Sequence, residues 1–311
     1  MMKKIQMNTS ETMDETFERF IIATKAKGTG DKTIKTYREQ YHSFKKYVDG
    51  FSGAVEDFTE KDLATAIGKM RDRELADRSI KSYTGVMKTF FGWCRENGIN
   101  AISIKAYRAA ETVKTTYTDE QLARLLKKPN IKKCTFAEYR NWVIVNFLLD
   151  NACRASTVRH IQNRDVDLEN RMIQYRHNKT KKVQVIPLSE EMKFILLEYM
   201  RFRGGAPDDY LFPTDTGEQM KEAGLQSAIE RYNTGRGVSN TSIHSFRHTF
   251  ARKYLLDCGG DPLRLQKILG HSTLDMTKHY CNIFNADILK NYDSLSPLAQ
   301  LSQSKSKISM R

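Results

Sequence analysis

The sequence predicts a mainly α-helical protein with a small antiparallel β-sheet in its second half. Apolar residues recur every three or four positions through the first hundred residues and again from Ser189 onward, which is the spacing of helices that bury one face. Between these regions, three short segments at 165–168, 171–176 and 182–188 show the shorter period of strands. A chain of 311 residues, 40% of them hydrophobic and 28% charged, is long enough for two globular domains.

The first hundred residues predict four helices that form one small domain. The second helix has an apolar stripe that consists of Ile34, Tyr37, Tyr41, Phe44 and Val48. Asp31 is its expected N-cap, Thr59 with Asp62 predicts a capping arrangement for the third helix, and Asn97-Gly98 ends the fourth. Lysines and arginines lie between the apolar positions. Each alone is most simply a solvated side chain, but together they suit a DNA clamp.

We expect four segments along the chain. Residues 10–105 form the helical domain, and residues 106–117 form a basic linker without helical spacing. Residues 118–298 form a second domain, which opens with the capping sequence T-D-E-Q, and residues 299–311 form a polar, basic, disordered tail. The later helices of the second domain are predicted in EMKFILLEYMRF, TSIHSFRHTFARKYLL, DPLRLQKIL and TLDMTKHYCNIF.

The charge balance favours a polyanionic partner. Lys and Arg number 51 against 37 Asp and Glu, a net charge of +14, and bound cations release counterions from a nucleic acid. An ordinary basic protein is the alternative that charge alone leaves open. The five cysteines form no C-x-x-C pair, so neither a zinc knuckle nor a disulfide framework is expected. The N-terminus does not resemble a signal peptide, and no apolar run reaches the ~20 residues of a membrane span, so we expect a cytoplasmic protein.

Two arginines and a histidine are candidates for binding a phosphate. In HSFRH, His244 and Arg247 lie one helical turn apart, and Phe246 on a neighbouring face can anchor the helix. Arg154 follows the apolar run FLLDNAC at the start of a short helix. Two guanidinium groups can hold both non-bridging oxygens of a phosphodiester and stabilise its transition state. Either arginine alone is more often structural.

Three further residues complete a possible catalytic set. Lys179 lies in the turn between the last two strands, where it can protonate a leaving oxygen, although Lys181 and Lys182 compete with it on sequence alone. His271 follows a helix stop in LGHSTLDMTKHY, and Tyr280 comes nine residues later. A tyrosine is a weak nucleophile that needs activation, and Tyr280 has thirteen other tyrosines as rivals.

The order and spacing of these residues resemble the tyrosine recombinase, or phage integrase, family. That family has an arginine, a hairpin lysine, H-x-x-R, a later histidine or tryptophan, and a tyrosine. The positions that match here are Arg154, Lys179, His244, Arg247, His271 and Tyr280. Lys179 lies eight residues before Pro187, which is the family register and favours it over Lys181. The resemblance runs from about Phe17 to about Leu295 and implies a SAM-like helical core-binding domain followed by a catalytic domain.

The resemblance also implies a mechanism and partners. Tyr280 would attack a DNA phosphorus to give a 3′-phosphotyrosine, and Lys179 would be the general acid. Arg154 and Arg247 would bind the phosphate, with His244 and His271 supplying hydrogen bonds. No cofactor and no metal ion is expected. The partner would be duplex DNA with short inverted-repeat sites, four protomers would exchange strands through a Holliday junction, and accessory DNA-bending proteins and a nucleoid location would fit.

Two departures from the family pattern and two uncertain points accompany this reading. Ala152 stands where the family usually has glycine, and Thr157 where it often has an acidic residue, which puts the orientation of the active-site cations in doubt. Residues 286–301 can pack on a neighbour or on their own domain, and Tyr292 within them does not fit the nucleophile register. The chain leaves no room for an arm-binding domain before the core-binding pattern, which favours a Xer-like, transposon-encoded or small integrase from a mobile element.

Two other functions are compatible with the same residues. A type IB topoisomerase uses a similar constellation to relax DNA, and sequence-specific joining of two DNA sites would separate the two activities. A DNA-binding regulator could keep the fold without catalysis. The complete set of six residues argues against such decay, and a covalent adduct with DNA would decide the question.

Overall fold

A computed structural model describes residues 11–48, 51, 53–109, 115–177, 183–274, 277, 296 and 298. The chain divides into two compact units, residues 1–112 and residues 113–311, each with its own hydrophobic core. This division lies within the segment that the sequence predicts to be a linker. The predicted architecture, mainly helical with a small antiparallel sheet, is confirmed.

The first unit contains the four predicted helices. They are α1 (Met13–Ala26), α2 (Asp31–Lys45), α3 (Glu60–Asp72) and α4 (Asp77–Glu96), with a 3₁₀ turn at Val55–Asp57. The predicted capping box at Thr59 is present, because its Oγ1 accepts from Asp62 N at 3.3 Å and its own N–H donates to Asp62 at 2.9 Å. The expected N-cap at Asp31 is wrong. Gly30 is the N-cap of α2 and Asp31 is its first residue, so its carboxylate lies beside the positive end of the helix dipole.

The core of the first unit is aromatic. The rings of Phe17 and Tyr41 stack at 3.7 Å, and Phe90 meets Phe17 edge-on at 5.2 Å. Ala101 and Ile104 follow α4 without helical spacing, yet both are buried against this core. The first unit therefore includes the non-helical segment after α4.

The second unit is built around one buried helix. Its helices are α5 (Asp119–Leu126), α6 (Phe136–Asn151), α7 (Ala155–Val158), α8 (Glu190–Arg203), α9 (Glu222–Gly235), α10 (Ile243–Arg252) and α11 (Pro262–Leu269). The run Val143–Val145 in α6 is fully buried, and so is Phe147, because α5, α8, α9 and α10 all pack around this helix. The helix α9 is absent from the sequence prediction, although Leu225 and Ile229 on it are fully buried.

The sheet has the order β1-β2-β3, with both pairs antiparallel. Its strands are β1 (Val166–Asp167), β2 (Met172–Tyr175) and β3 (Gln184–Pro187), each shorter than its predicted segment. Ile173 lies opposite Val166 on one side and Ile186 on the other, so one face of the sheet covers the core. The connection between β2 and β3 begins after Tyr175, and residues 178–182 within it lie outside the described part of the chain.

The helix α10 is held in place by Tyr117. The ring of Tyr117 packs 4.3 Å from that of Phe246, its N–H donates to Thr249 Oγ1 at 2.8 Å, and its hydroxyl donates to the Ser242 carbonyl at 3.2 Å. The sequence predicts that this helix continues beyond Arg252. Instead, the chain forms a π-helical turn at Lys253–Asp257. None of the described helices is both long and apolar enough to cross a membrane.

Candidate active site

Arg247 is the centre of the candidate site. It lies on α10, whose neighbouring residue Phe246 is fully buried, and the arginine itself is only 5% exposed. Its guanidinium donates to the carbonyl oxygen of Ala152 at 2.8 Å and to that of Leu269 at 2.7 Å, and lies 2.8 Å from Nε2 of His271. A buried guanidinium with several charge-assisted hydrogen bonds in its plane is held in one orientation.

Ala152 forms the sharp turn that presents its carbonyl to Arg247. It is the C-cap of α6 and adopts the left-handed conformation, with φ 49° and ψ 24°. This conformation favours glycine, which explains why glycine suits this position. Here the alanine methyl group is fully buried among Ala251, Leu265 and Leu269, and its packing offsets part of the backbone strain.

Arg154 follows this turn and caps α7. Its backbone is extended, and its carbonyl accepts from Thr157 N at 2.9 Å. Its side chain makes no hydrogen bond or ion pair to another described residue, and it is partly exposed. Burial raises the pKa of the Cys153 thiol to about 12, while the positive charges of Arg247 and Arg154 oppose this rise.

His271 enters the site after the end of α11. Gly270 is the C-cap of this helix, with φ 61°, and the N–H of His271 donates to the Gln266 carbonyl at 3.1 Å. On the far side of the imidazole from Arg247, Nδ1 lies 2.9 Å from Oγ1 of Thr277. The ring thus makes a hydrogen bond through each of its nitrogens.

A side chain from the sheet braces the same loop. Nε2 of Gln184, at the start of β3, donates to the carbonyls of Lys267 and Ile268 at 2.6 and 3.0 Å. Both carbonyls lie in the last turn of α11, where helix carbonyls run out of partners, and that of Lys267 also accepts from the Gly270 N–H at 3.1 Å. A Cβ atom on Gly270 would meet Oε1 of Gln184 at 2.8 Å, so this close approach also favours glycine.

The structure brings two of the six predicted residues, Arg247 and His271, into contact. Arg154 lies two residues after Ala152, whose carbonyl accepts from Arg247. His244 lies in the first turn of α10, one turn before Arg247, and is exposed whereas Arg247 is buried. Lys179 and Tyr280 lie outside the described residues, as do Lys181, Lys182 and Tyr292.

Sequence reasoning missed the groups that hold the arginine and the histidine. The carbonyls of Ala152 and Leu269 carry no side-chain signal, although the unusual alanine and the Leu-Gly pair mark both turns. Thr277 could have been found from its position six residues after His271 and three before Tyr280.

The arrangement is suited to binding an anion through a pair of its oxygens. Guanidinium groups recognise phosphate oxygens by paired hydrogen bonds, and a buried position strengthens these bonds. Among the described residues, no group of three or more histidine, cysteine or acidic side chains is placed to hold a metal ion.

Comparison with known proteins identifies the family. The sequence pattern of the phage integrase family matches residues 115–286, more than half of the chain. The chain belongs to the phage integrase family. Tyrosine recombinase XerA of Saccharolobus solfataricus is 26% identical over 316 residues, which cover 98% of this chain and 99% of the relative. The chain is accordingly a site-specific tyrosine recombinase, as its sequence predicts.

Solved structures share its fold. The Tn1549 transposon integrase in complex with transposon right end DNA matches 92% of this chain and 99% of that chain, with a TM-score of 0.75 and 19% identity. A lambda integrase tetramer bound to a Holliday junction matches 88% of this chain and 78% of that chain, with a TM-score of 0.70 and 18% identity.

Proposed function

We propose that this recombinase cleaves and rejoins duplex DNA by forming a 3′-phosphotyrosine at Tyr280. The observation that carries the proposal is the 2.8 Å contact between Arg247 and His271. These are two members of the six-residue set, and they come from separate parts of the chain. The other four members, Arg154, Lys179, His244 and Tyr280, are assigned from their sequence register.

The proposed reaction exchanges one phosphodiester bond for another. The phenolic oxygen of Tyr280 bonds to phosphorus as its proton passes to a histidine of the site, the bond from phosphorus to the 5′ oxygen breaks, and Lys179 gives that oxygen a proton. Arg154 and Arg247 stabilise the charge on the non-bridging oxygens, and His244 and His271 supply the hydrogen bonds and the proton acceptor. Because the phosphotyrosine retains the bond energy, attack by another 5′-hydroxyl rejoins the strand without ATP or a metal ion.

The two units have separate roles in this proposal. Residues 10–105 bind DNA as a core-binding domain, residues 106–117 connect, and residues 118–298 catalyse, with residues 299–311 as a tail. The net charge of +14 supports a DNA partner. We further propose that four protomers act together at short inverted repeats and resolve a Holliday junction, in the cytoplasm at the nucleoid, with accessory DNA-bending proteins. The lambda integrase tetramer bound to a Holliday junction supports the tetramer and the junction in this proposal.

The test is covalent trapping on a nicked suicide substrate that contains the genuine recombination site. The wild-type chain should form an adduct that survives denaturing gel electrophoresis, and Tyr280→Phe should form none, because it lacks the nucleophilic oxygen. Tyr292→Phe is the matched control and should react as the wild type does. DNA affinity, measured by mobility shift, should be similar for all three.

If Tyr280→Phe forms an adduct and Tyr292→Phe does not, the nucleophile is Tyr292. No adduct from the wild type on its genuine site would favour a DNA-binding regulator. An adduct together with relaxation of plasmids that lack the site would favour a topoisomerase.

A further inference from the structure

Thr277 is fully buried and lies on the segment that leads to Tyr280. It is 0% exposed, and its N–H donates to the carbonyl of Leu274 at 2.8 Å. Its hydroxyl oxygen lies 2.9 Å from Nδ1 of His271. Thr277 therefore touches a proposed active-site residue while it precedes the proposed nucleophile by three positions.

The direction of these hydrogen bonds follows from the chemistry of arginine. A guanidinium group only donates, so the 2.8 Å contact between Arg247 and Nε2 of His271 requires Nε2 to accept. Nε2 then carries no hydrogen, and the imidazole proton lies on Nδ1. Nδ1–H points at Thr277, whose hydroxyl oxygen accepts it. The geometry thus defines one neutral tautomer of His271.

We propose that Thr277 is a positioning residue of the recombination reaction, whose hydroxyl holds the ring orientation of His271. The inference rests on the proposed function and adds a residue to it. Thr277 keeps Nε2 directed at Arg247, and so at the phosphate that Arg247 binds. Without the hydroxyl, Nδ1–H would lose this buried acceptor, and the ring would turn away from Arg247, which leaves Nε2 able to carry the proton.

A hydroxyl group is suited to this role because it can donate as well as accept. When a phosphate oxygen replaces Arg247 as the partner of Nε2, that nitrogen must donate rather than accept. Thr277 can then donate to Nδ1 of the other neutral tautomer, or still accept from the imidazolium. The bond to Nδ1 therefore persists in each protonation state, and the ring holds its orientation through the reaction.

Two substitutions separate this role from simple packing. Thr277→Val keeps the volume and removes the hydroxyl, whereas Thr277→Ser keeps the hydroxyl and removes a methyl group. Thr84→Val is the matched control, since Thr84 is also buried and its hydroxyl bonds only to backbone carbonyls of its own helix. Thermal unfolding verifies that each variant is folded.

The first measurement is the single-turnover rate of adduct formation on suicide DNA. We expect Thr277→Val to react about tenfold more slowly than the wild type, the rate equivalent of one hydrogen bond, with unchanged DNA affinity. Thr277→Ser and Thr84→Val should react within about twofold of the wild type. A slow serine variant with a fast valine variant, or equal rates for all, would overturn the proposal.

The second measurement observes the tautomer directly. Long-range ¹H–¹⁵N spectra of the full chain with ¹⁵N-labelled histidine distinguish Nδ1–H from Nε2–H, and His271→Gln identifies the signal. We expect Nδ1–H in the wild type and a mixture in Thr277→Val. Finding Nε2–H in the wild type would overturn the proposal even if adducts form. Absence of any wild-type adduct would instead refute the proposed function.

Discussion

The protein itself sets the orientation of Arg247. Two backbone carbonyls and one imidazole nitrogen take up hydrogen bonds from its guanidinium plane, and the side chain is almost completely buried. A lysine would offer one point charge in place of this fixed plane. In the proposed reaction, Arg247 would therefore meet the phosphate already oriented, with little rearrangement of its side chain.

Substitution of Ala152 tests how far this orientation depends on the turn after α6. Ala152→Val places a β-branched side chain in the left-handed region and adds volume beside Leu265 and Leu269. We expect a loss of about 3 kcal/mol or more in the free energy of unfolding, measured by urea denaturation.

The matched control is Ala152→Gly. It relieves about 1 kcal/mol of left-handed strain but removes one buried methyl group worth about 0.8 kcal/mol. We expect its stability to lie within about 1 kcal/mol of the wild type. A valine variant as stable as the glycine variant would show that the turn is not constrained.

Lys179 is expected to act as the general acid. Lys179→Ala should slow cleavage of ordinary DNA by about 100-fold or more, because an unprotonated 5′ oxygen is a poor leaving group. A substrate with sulfur at the 5′-bridging position needs no proton, so its cleavage should be nearly unaffected. Lys181→Ala and Lys182→Ala are the controls. If Lys179→Ala slows cleavage of both substrates equally, Lys179 is not the general acid.

Side-chain chemistry in the site was more predictable from the sequence than backbone chemistry. H-x-x-R and LGH indicate Arg247 and His271 because their side chains carry the function. The carbonyl groups that orient Arg247 belong to the backbone of Ala152 and Leu269. The apolar side chains of these residues do not indicate that their carbonyl oxygens accept hydrogen bonds from an arginine. Thr277 was missed because its partner is fixed by the path of the chain after α11, which periodicity does not describe.

Among the secondary-structure elements, β3 and α11 are joined by hydrogen bonds from Gln184. These bonds connect the strand that follows Lys179 with the loop that carries His271. Gln184→Ala removes both hydrogen bonds to the carbonyls of Lys267 and Ile268. We expect a loss of about 1 kcal/mol in the free energy of unfolding, because the Ile268 carbonyl loses its hydrogen bond from Gln184, whereas the Lys267 carbonyl keeps the one from the Gly270 N–H. Cleavage should also slow, since the strand that follows Lys179 is released from the His271 loop. Gln174→Ala is the control, because the side chain of Gln174 is exposed on β2. An equal loss of stability and cleavage rate in this variant would contradict the coupling.

The elements that sequence reasoning missed lack clear end signals. The helix α9 begins without a side-chain cap and contains glycine at both ends of its stripe, which weakens its helical signal. Its burial against α6 stabilises it nevertheless. The helix α5, in contrast, starts with a reciprocal capping box at Thr118 and Gln121 and was predicted from these residues.

On the scale of the complete chain, the two units have hydrophobic cores of different composition. The core of residues 1–112 is rich in stacked aromatic rings, whereas the second core surrounds α6 and carries the candidate site at one end of that helix. The sequence predicted both regions from their periodicity. It could not show that Ala101 and Ile104 join the first core, because isolated apolar residues outside a helix have no period.

The excess of positive charge should govern DNA affinity. Binding that neutralises phosphates releases counterions, so the logarithm of the affinity should fall linearly with the logarithm of the salt concentration, with a slope of about −0.9 for each phosphate contacted. Lys81 and Lys88 lie exposed on α4, and the double variant Lys81→Ala/Lys88→Ala should reduce the slope by about one to two.

The control for this titration is Lys128→Ala, because the ammonium group of Lys128 already bonds to Glu198 at 2.6 Å. Its slope should equal that of the wild type, measured by fluorescence anisotropy on duplex DNA. The double variant removes two charges and the control one, so the change in slope is compared per lysine removed. If all variants give one slope, DNA contacts lie elsewhere than α4. If the wild type shows no salt dependence, the positive charge does not serve DNA binding, and its function must be sought in the solubility of the chain.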